Sequence, residues 1–303
     1  MSKVEFKDRV AIVTGAGGGL GRSHALALAA RGVKVVVNDL GGTVDGSGSS
    51  ATAAQKVVEE IKAAGGDAIA NGANVTKEDE VAEMVQQALD AYGKIDILVN
   101  NAGILRDKSF AKMTMDDFRL VLDVHIMGSA ICTKAVWQHM RDNGYGRIAM
   151  TSSSSGMYGN FGQANYGAAK AGLSGLMRTL CLEGAKYNIR VNALAPVAAT
   201  RMTENLMPPE VLAMLDVDCV SQGLVYLCCD DAPNRTILVA GAGGYAATKV
   251  FETDGINFPK GEQTAENVAA NWDKIIAEDN MLEMTQGGQQ GEKLLKRAAA
   301  LMA

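Results

Sequence analysis

The stretch Val10-Ala-Ile-Val-Thr14-Gly15-Ala-Gly-Gly-Gly19-Leu20-Gly21 constrains this 303-residue chain more than any other. An uninterrupted apolar run of this length reads as a strand buried on both faces, the pattern of a parallel sheet. It runs straight into a glycine turn and then an Ala- and Leu-rich helical stretch, about residues 22–31. Strand, glycine turn and helix in that order make an anion site. Glycines let the main chain approach a pyrophosphate, and the helix start offers unpaired N–H groups.

A second strand, Val33-Lys-Val-Val-Val-Asn-Asp39, ends in an acid eighteen residues after Gly21. An acid there suits the two ribose hydroxyls of NAD and repels the extra phosphate of NADP. A polar insertion over residues 40–50 follows, then a helix over 51–64 and a short strand over 67–73 that leaves Asn74 and Val75 on the cofactor side of the sheet. A helix over 78–92, with Val81, Met84, Val85 and Leu89 at helical spacing, leads to a strand over 95–99 that ends in Asn100-Asn101-Ala102-Gly103. One long helix over 115–143, a strand over 147–152 and a sixth strand over 189–195 complete the alternation, with Pro196-Val-Ala-Ala-Thr200 as the last strand's exit loop. This order predicts an α/β fold: a Rossmann-type doubly wound parallel sheet in a single domain, residues 1–245, with a helical C-terminal extension over 246–303. Ligands of such sheets bind outside the carboxyl ends of the strands.

The candidate chemistry lies in Thr151-Ser-Ser153-Ser-Ser-Gly-Met-Tyr-Gly-Asn-Phe-Gly-Gln-Ala-Asn-Tyr166-Gly-Ala-Ala-Lys170. On a helix, Tyr166 and Lys170 stand one turn apart on one face. A free phenol has a pKa near ~10, and a lysine ammonium beside it favours phenolate and brings the value toward the working range. Ser153 lies where a strand delivers a hydroxyl to the same place. The Tyr-x-x-x-Lys spacing alone equally fits an ordinary helix, so the motifs upstream decide.

The net charge is −5 and no basic cluster is interleaved with aromatics, which argues against a nucleic-acid partner. Five scattered cysteines with no Cys-x-x-Cys argue against a disulfide framework or zinc site and for a reducing compartment. His24 and His139 lack partners at ligand spacing, so no metal is expected. The charged start, the absence of an apolar run near the ~18 residues a membrane span needs, and a Leu-Met-Ala ending unlike a peroxisomal address make a cytoplasmic protein without a membrane partner the expectation.

Thr14-Gly15-x-x-x-Gly19-x-Gly21, Asn100-Asn-Ala-Gly103, Ser153 and Tyr166-x-x-x-Lys170 together resemble the short-chain dehydrogenase/reductase family, in order and spacing, over about residues 6–245. The resemblance implies reversible oxidation of an alcohol to a ketone with NAD. Tyr166 corresponds to the acid/base, Lys170 to the residue that lowers its pKa and holds the nicotinamide ribose, and Ser153 to the donor on the substrate oxygen. Gly15, Gly19, Leu20 and Gly21 cradle the pyrophosphate, Asp39 takes the adenosine ribose and Asn74 and Val75 flank adenine. Asn101, Ala102 and Gly103 line the cleft, and Pro196 lies by the nicotinamide carboxamide. Where the family usually has Asn in the long helix, this chain has His125, either in a proton relay or packed beneath the site. Val197 is a milder departure, since most relatives have Pro-Gly at 196–197.

A narrower likeness, in Ile104-Leu-Arg-Asp-Lys-Ser-Phe110, Val124-His125-Ile-Met-Gly-Ser129, Tyr158-Gly-Asn-Phe-Gly-Gln-Ala-Asn-Tyr166 and Arg201-Met-Thr203, is to the (3R)-hydroxyacyl-CoA dehydrogenase units of peroxisomal multifunctional β-oxidation enzymes, also known as 17β-hydroxysteroid dehydrogenases. It implies an acyl-CoA or steroid substrate, and the family implies a homo-oligomer. The alternative of another class is a catalytically weak NAD-binding sensor or scaffold. Val268, Trp272, Ile275 and Ile276 give the extension an apolar stripe to bury, at the substrate mouth or against a second subunit. Leu294, Leu295, Ala298, Leu301 and Met302 suggest a last amphipathic helix, and residues 200–218 a substrate lid.

Overall fold

The computed structural model describes residues 4–48, 52–199 and 208–301. The strands are β1 (Val10–Thr14), β2 (Lys34–Asn38), β3 (Ala68–Asn71), β4 (Ile97–Asn100), β5 (Gly146–Thr151), β6 (Ile189–Val197), β7 (Ile237–Gly241) and β8 (Gly244–Thr248). They form one sheet in the order β3-β2-β1-β4-β5-β6-β7-β8, with parallel pairing from β3 through β7. Val13 of β1 pairs with Val37 on one side and Val99 on the other. The chain order reverses at this point, which opens a crevice beyond the carboxyl ends of β1 and β4.

Both faces of the sheet are covered, which is why β1 and β4 are apolar and buried at nearly every position. Helices α1 (Gly19–Ala29), α2 (Thr52–Ala63) and α9 (Val217–Cys228) supply Leu28, Ile61 and Leu224 to one core. Helices α3 (Glu78–Tyr92), α5 (Gly128–Asp142) and α7 (Ala164–Gly184) supply Met84, Val136 and Met177 to the other. Gly93, in the left-handed region, ends α3, as a residue without Cβ does cheaply.

Two details depart from the sequence reading. The single helix expected over 115–143 is α4 (Met115–Leu122), a π-helical turn at Asp123–Met127 that contains His125, and α5. Apolar periodicity does not separate an α turn from a π turn, so the sequence carried no sign of it. Pro196 and Val197 belong to β6 rather than to its exit loop, paired with Ala240 and Gly241. The ladder to β5 ends at Leu194, so beyond it β6 has a neighbour on one side only and can accept a residue without an N–H. Ser153 follows β5 as the strand bounds 147–152 imply, and it caps the N-terminus of α6 (Ser154–Tyr158).

Two helical stretches, Met115–Asp142 and Pro209–Cys228, are long and apolar enough by composition to cross a membrane. Each lays a buried face into the domain, with Val121, Cys132 and Met140 from the first and Val220, Leu224 and Cys228 from the second. Of residues 200–218, the stretch 200–207 and the Arg201-Met-Thr203 motif lie outside the described residues, and α8 (Pro209–Leu212) follows them.

The chain divides into two compact units, Met1–Ala247 and Thr248–Ala303. In the second, β9 (Phe251–Glu252) pairs antiparallel with β10 (Leu282–Glu283). Helix α12 (Gly288–Ala300) is held there by Lys293 on Glu252 and the Thr253 carbonyl and by Arg297 on Asp254. The stripe expected as one helix is broken at Asn271 into α10 (Ala265–Ala270) and α11 (Trp272–Ile275), and Val268, Trp272 and Ile276 are exposed.

Candidate active site

The cofactor crevice follows from the glycines. A Cβ on Gly21 would lie 2.1 Å from the Gly15 carbonyl oxygen, and one on Gly15 would lie 2.8 Å from Cα of Ala102. The turn therefore packs against the strand end that carries Asn101 with no room for side chains. Gly15 and Gly19 both hold positive φ, at 63° and 51°. Leu20 is half-buried against the core, and α1, with Gly18 at its N-cap, has no side-chain cap and no acid in its first turn, a helix start open to an anion. The side chain of Asn101 donates to the carbonyls of Thr14 (2.9 Å) and Gly15 (3.0 Å). Thr14, to which the sequence reading gave no role, accepts from the main-chain N–H groups of Asn101 and Ala102 on its hydroxyl. These bonds tie β1 to β4 where the crevice opens.

Asp39 stands over the turn. One carboxylate oxygen accepts from the Gly17 N–H at 2.7 Å and the other from the Gly41 N–H at 2.6 Å. Gly17 has to be small, because its Cβ would lie 2.8 Å from the Asp39 carboxyl carbon. Asn74 folds its side chain back on Thr76, and Val75 is buried against Gly128. Gly15, Gly17, Asp39 and Asn101 thus come together at one end of the crevice, a tight glycine turn with a carboxylate standing over it.

The reacting groups gather beyond β5. Tyr166 sits in the first turn of α7, its N–H donating to the Asn165 side chain at 2.7 Å. One turn on, Lys170 is buried and donates to the Thr151 carbonyl at 2.6 Å, with Nζ 5.3 Å from the centre of the Tyr166 ring. Burial pushes the Tyr166 phenol up to about 12, a rise opposed by a hydrogen bond with Ser153 and reinforced by the charge of Asp107. Burial also brings Lys170 down to about 7. The lysine was expected to draw the phenol down; burial is instead the largest influence on both groups, and the lowering that acts on Tyr166 comes from Ser153.

His125 is buried with its ring edge-on to Tyr166, centroids 5.2 Å apart. Its Nε2 lies 3.2 Å from the Ile104 nitrogen and 2.9 Å from the Ile104 oxygen, so either tautomer finds a partner. Nδ1 has none. Burial and the neighbouring Lys170 hold its pKa well below the usual range, so the imidazole is neutral.

Residues 104–108 connect these parts. The Leu105 N–H donates to the Val44 carbonyl and the Arg106 Nε to the Asp45 carbonyl, which docks the polar insertion. The Asn165 side chain donates to the Arg106 carbonyl, Gln163 donates to Asp107, and the Lys108 N–H donates to the Gly162 carbonyl. Arg106 and Lys108 share the buried carboxylate of Asp117 at 3.1 and 3.0 Å. None of these polar partners was legible in the sequence, since each is remote from its mate.

A Ser, Tyr and Lys set beside a dinucleotide cradle at the switch point of a doubly wound sheet defines an oxidoreductase of the short-chain type. The family model for short chain dehydrogenases matches residues 9–210, and this chain belongs to that family, whose members bind nicotinamide dinucleotides. It is 48% identical over 276 residues to the peroxisomal hydratase-dehydrogenase-epimerase of Saccharomyces cerevisiae, covering 90% of this chain and 30% of that protein. Full-length peroxisomal multifunctional enzyme type 2 from Drosophila melanogaster superposes with a TM-score of 0.83 at 35% identity, covering 98% of this chain and 51% of the other. A 7α-hydroxysteroid dehydrogenase solved with NADH and 7-oxo glycochenodeoxycholic acid gives a TM-score of 0.71 at 32% identity, covering 79% and 95%. The chain thus spans about half or less of the two multifunctional relatives.

Proposed function

We propose that this chain is an NAD-dependent dehydrogenase that interconverts a (3R)-3-hydroxyacyl-CoA and its 3-ketoacyl-CoA. The observation that carries the reading is the joint placement of Ser153, Tyr166 and Lys170, with Asp39 at the ribose end of the same crevice. Likeness to a hydratase-dehydrogenase supports the substrate class, because hydration of an unsaturated acyl group makes the secondary alcohol that such a dehydrogenase oxidises. Asp39 supports NAD, since a carboxylate there repels a 2′-phosphate.

A nicotinamide dinucleotide, when bound in this crevice, would supply or accept the hydride. The chain's own residues manage the oxygen and its proton. Ser153 donates to the substrate oxygen and stabilises it as its charge changes. For reduction, Tyr166 gives its hydroxyl proton to that oxygen; for oxidation, the phenolate takes the proton back. Lys170, one turn away and with its value near 7, exchanges a proton readily at neutral pH, and its ammonium form favours the phenolate against the burial that raises the phenol.

The test is NADH formation with (3R)- and (3S)-hydroxyacyl-CoA thioesters beside 17β-hydroxysteroids. Turnover confined to the (3R)-thioesters supports the reading, and turnover of steroids alone replaces it with a hydroxysteroid dehydrogenase. Tyr166→Phe should bind cofactor and lose at least ~100-fold in kcat; retained turnover would remove Tyr166 from its role.

A further inference from the structure

Among the described residues two carboxylates are buried, Asp96 and Asp117. Asp96 lies just before β4, where Arg9 and the Val10 N–H satisfy it and tie β1 to β4 at their amino ends. Asp117, 7% exposed in the first turn of α4, serves the segment that leaves the other end of β4. Arg106 Nη1 and Lys108 Nζ donate to its two oxygens at 3.1 and 3.0 Å. The cap of α4 does not need this side chain, since it is the Asp117 N–H that donates to the Thr114 hydroxyl. The preceding acid, Asp116, is exposed and pairs with Arg119 on its own helix. A buried carboxylate shared by cations adds little net stability over an apolar replacement; what it fixes is the relative position of the groups it holds.

The main chain around those two cations leads to Tyr166 by two routes. The Arg106 carbonyl accepts from the Asn165 side chain at 3.1 Å, and the Asn165 side-chain oxygen accepts from the Tyr166 N–H at 2.7 Å. Asn165 is fully buried, so water cannot replace either bond. Two residues before Arg106, the Ile104 main chain meets Nε2 of His125, whose ring stands edge-on to Tyr166. The Ile104 side chain packs in one small apolar cluster with Val121 of α4, Ala169 and Tyr166. The segment that bears on the tyrosine from both Asn165 and His125 is thus anchored by a carboxylate outside the reacting set.

Resting on the reading of Tyr166 as the acid/base, we propose that Asp117 is a positioning residue for it: by drawing Arg106 and Lys108 together, Asp117 fixes the main chain that sets Asn165 and His125 against the tyrosine. The carboxylate itself touches none of the reacting groups, so its contribution is to alignment and not to binding of the cofactor.

The experiment uses the full chain. With (3R)-hydroxybutanoyl-CoA and NAD, Asp117→Asn should lower kcat about tenfold and leave KM and the NADH dissociation constant within about twofold, because alignment is lost and binding is not. Asp117→Glu keeps the carboxylate and should recover kcat to within about threefold of wild type. Lys108→Gln, at a half-exposed residue, should lower kcat about threefold and add nothing further to Asp117→Asn, as two members of one network do. Fluorine NMR of protein labelled with 3-fluorotyrosine, the Tyr166 line identified by its loss in Tyr166→Phe, reads position without turnover. That line should shift in Asp117→Asn while the Tyr92 line stays. A Tyr166 line that does not move, or an active enzyme whose kcat does not fall, overturns the proposal, as does a loss of NADH affinity equal to the loss of kcat. Should Asp117→Asn not fold, Lys108→Gln carries the same two readouts. A shifted Tyr166 line in a protein that oxidises no hydroxyacyl thioester would keep the anchor and reject the dehydrogenase reading.

Discussion

His125 stands in the space that a side chain on Gly103 would need. A Cβ on Gly103 would lie 2.3 Å from the imidazole Cε1. Gly103→Ala should therefore destabilise the protein by about 1–3 kcal/mol and lower kcat, since the residue next to it carries the hydrogen bonds to His125. Adding the smaller His125→Asn should restore part of both. Thermal unfolding and initial rates of the two variants check this, and a double variant no better than the single one would break the link.

Lys170 gives a pH signature in stability. Its folded value, about 7, lies below the ordinary 10.5, so between these values the folded state binds fewer protons than the unfolded one. Stability from this group therefore rises with pH across that window and is lowest below pH 7. Lys170→Met should abolish turnover yet be more stable than wild type at pH 6, by on the order of a few kcal/mol, with the gap closing by pH 10. Urea unfolding at the two pH values measures it; a pH-independent gap would refute the shift.

Gly21→Ala meets backbone rather than a flexible side chain, 2.1 Å from the Gly15 oxygen. The glycine turn has to open to admit the methyl group. NADH affinity, read by fluorescence titration, should fall at least ~100-fold through the displaced cradle. Unaltered affinity would mean the pyrophosphate binds elsewhere.

Asp39→Ser removes the carboxylate proposed to take the adenosine ribose and loosens the Gly17 and Gly41 bonds. The dissociation constant for NAD should rise about tenfold to a hundredfold, while NADP gains relative to it. An unchanged NAD to NADP ratio would reassign the selectivity to another residue.

What could be read from the sequence was local. The glycine turn, the acid after β2 and the Tyr166 and Lys170 pair each show within a few residues, because one turn or one helix face positions them. The supporting contacts did not show. Thr14 acts on Asn101 and Ala102, Asp117 on Arg106 and Lys108, and Gln163 on Asp107, and each pairing is made by the fold. The direction of the pKa shifts was also out of reach, because the order of motifs says nothing about how deeply Tyr166 and Lys170 are buried.

Residues 104–108 hold the insertion after Asp39 at one end and the turn before Tyr166 at the other. Loop grafting therefore has a natural boundary here. Replacing the insertion by that of a cofactor-switching homologue, without also transplanting residues 104–108, would leave Arg106 without its Asp45 acceptor and let the strain reach the proton-transfer end. Cofactor selectivity and turnover should thus be engineered as one cassette.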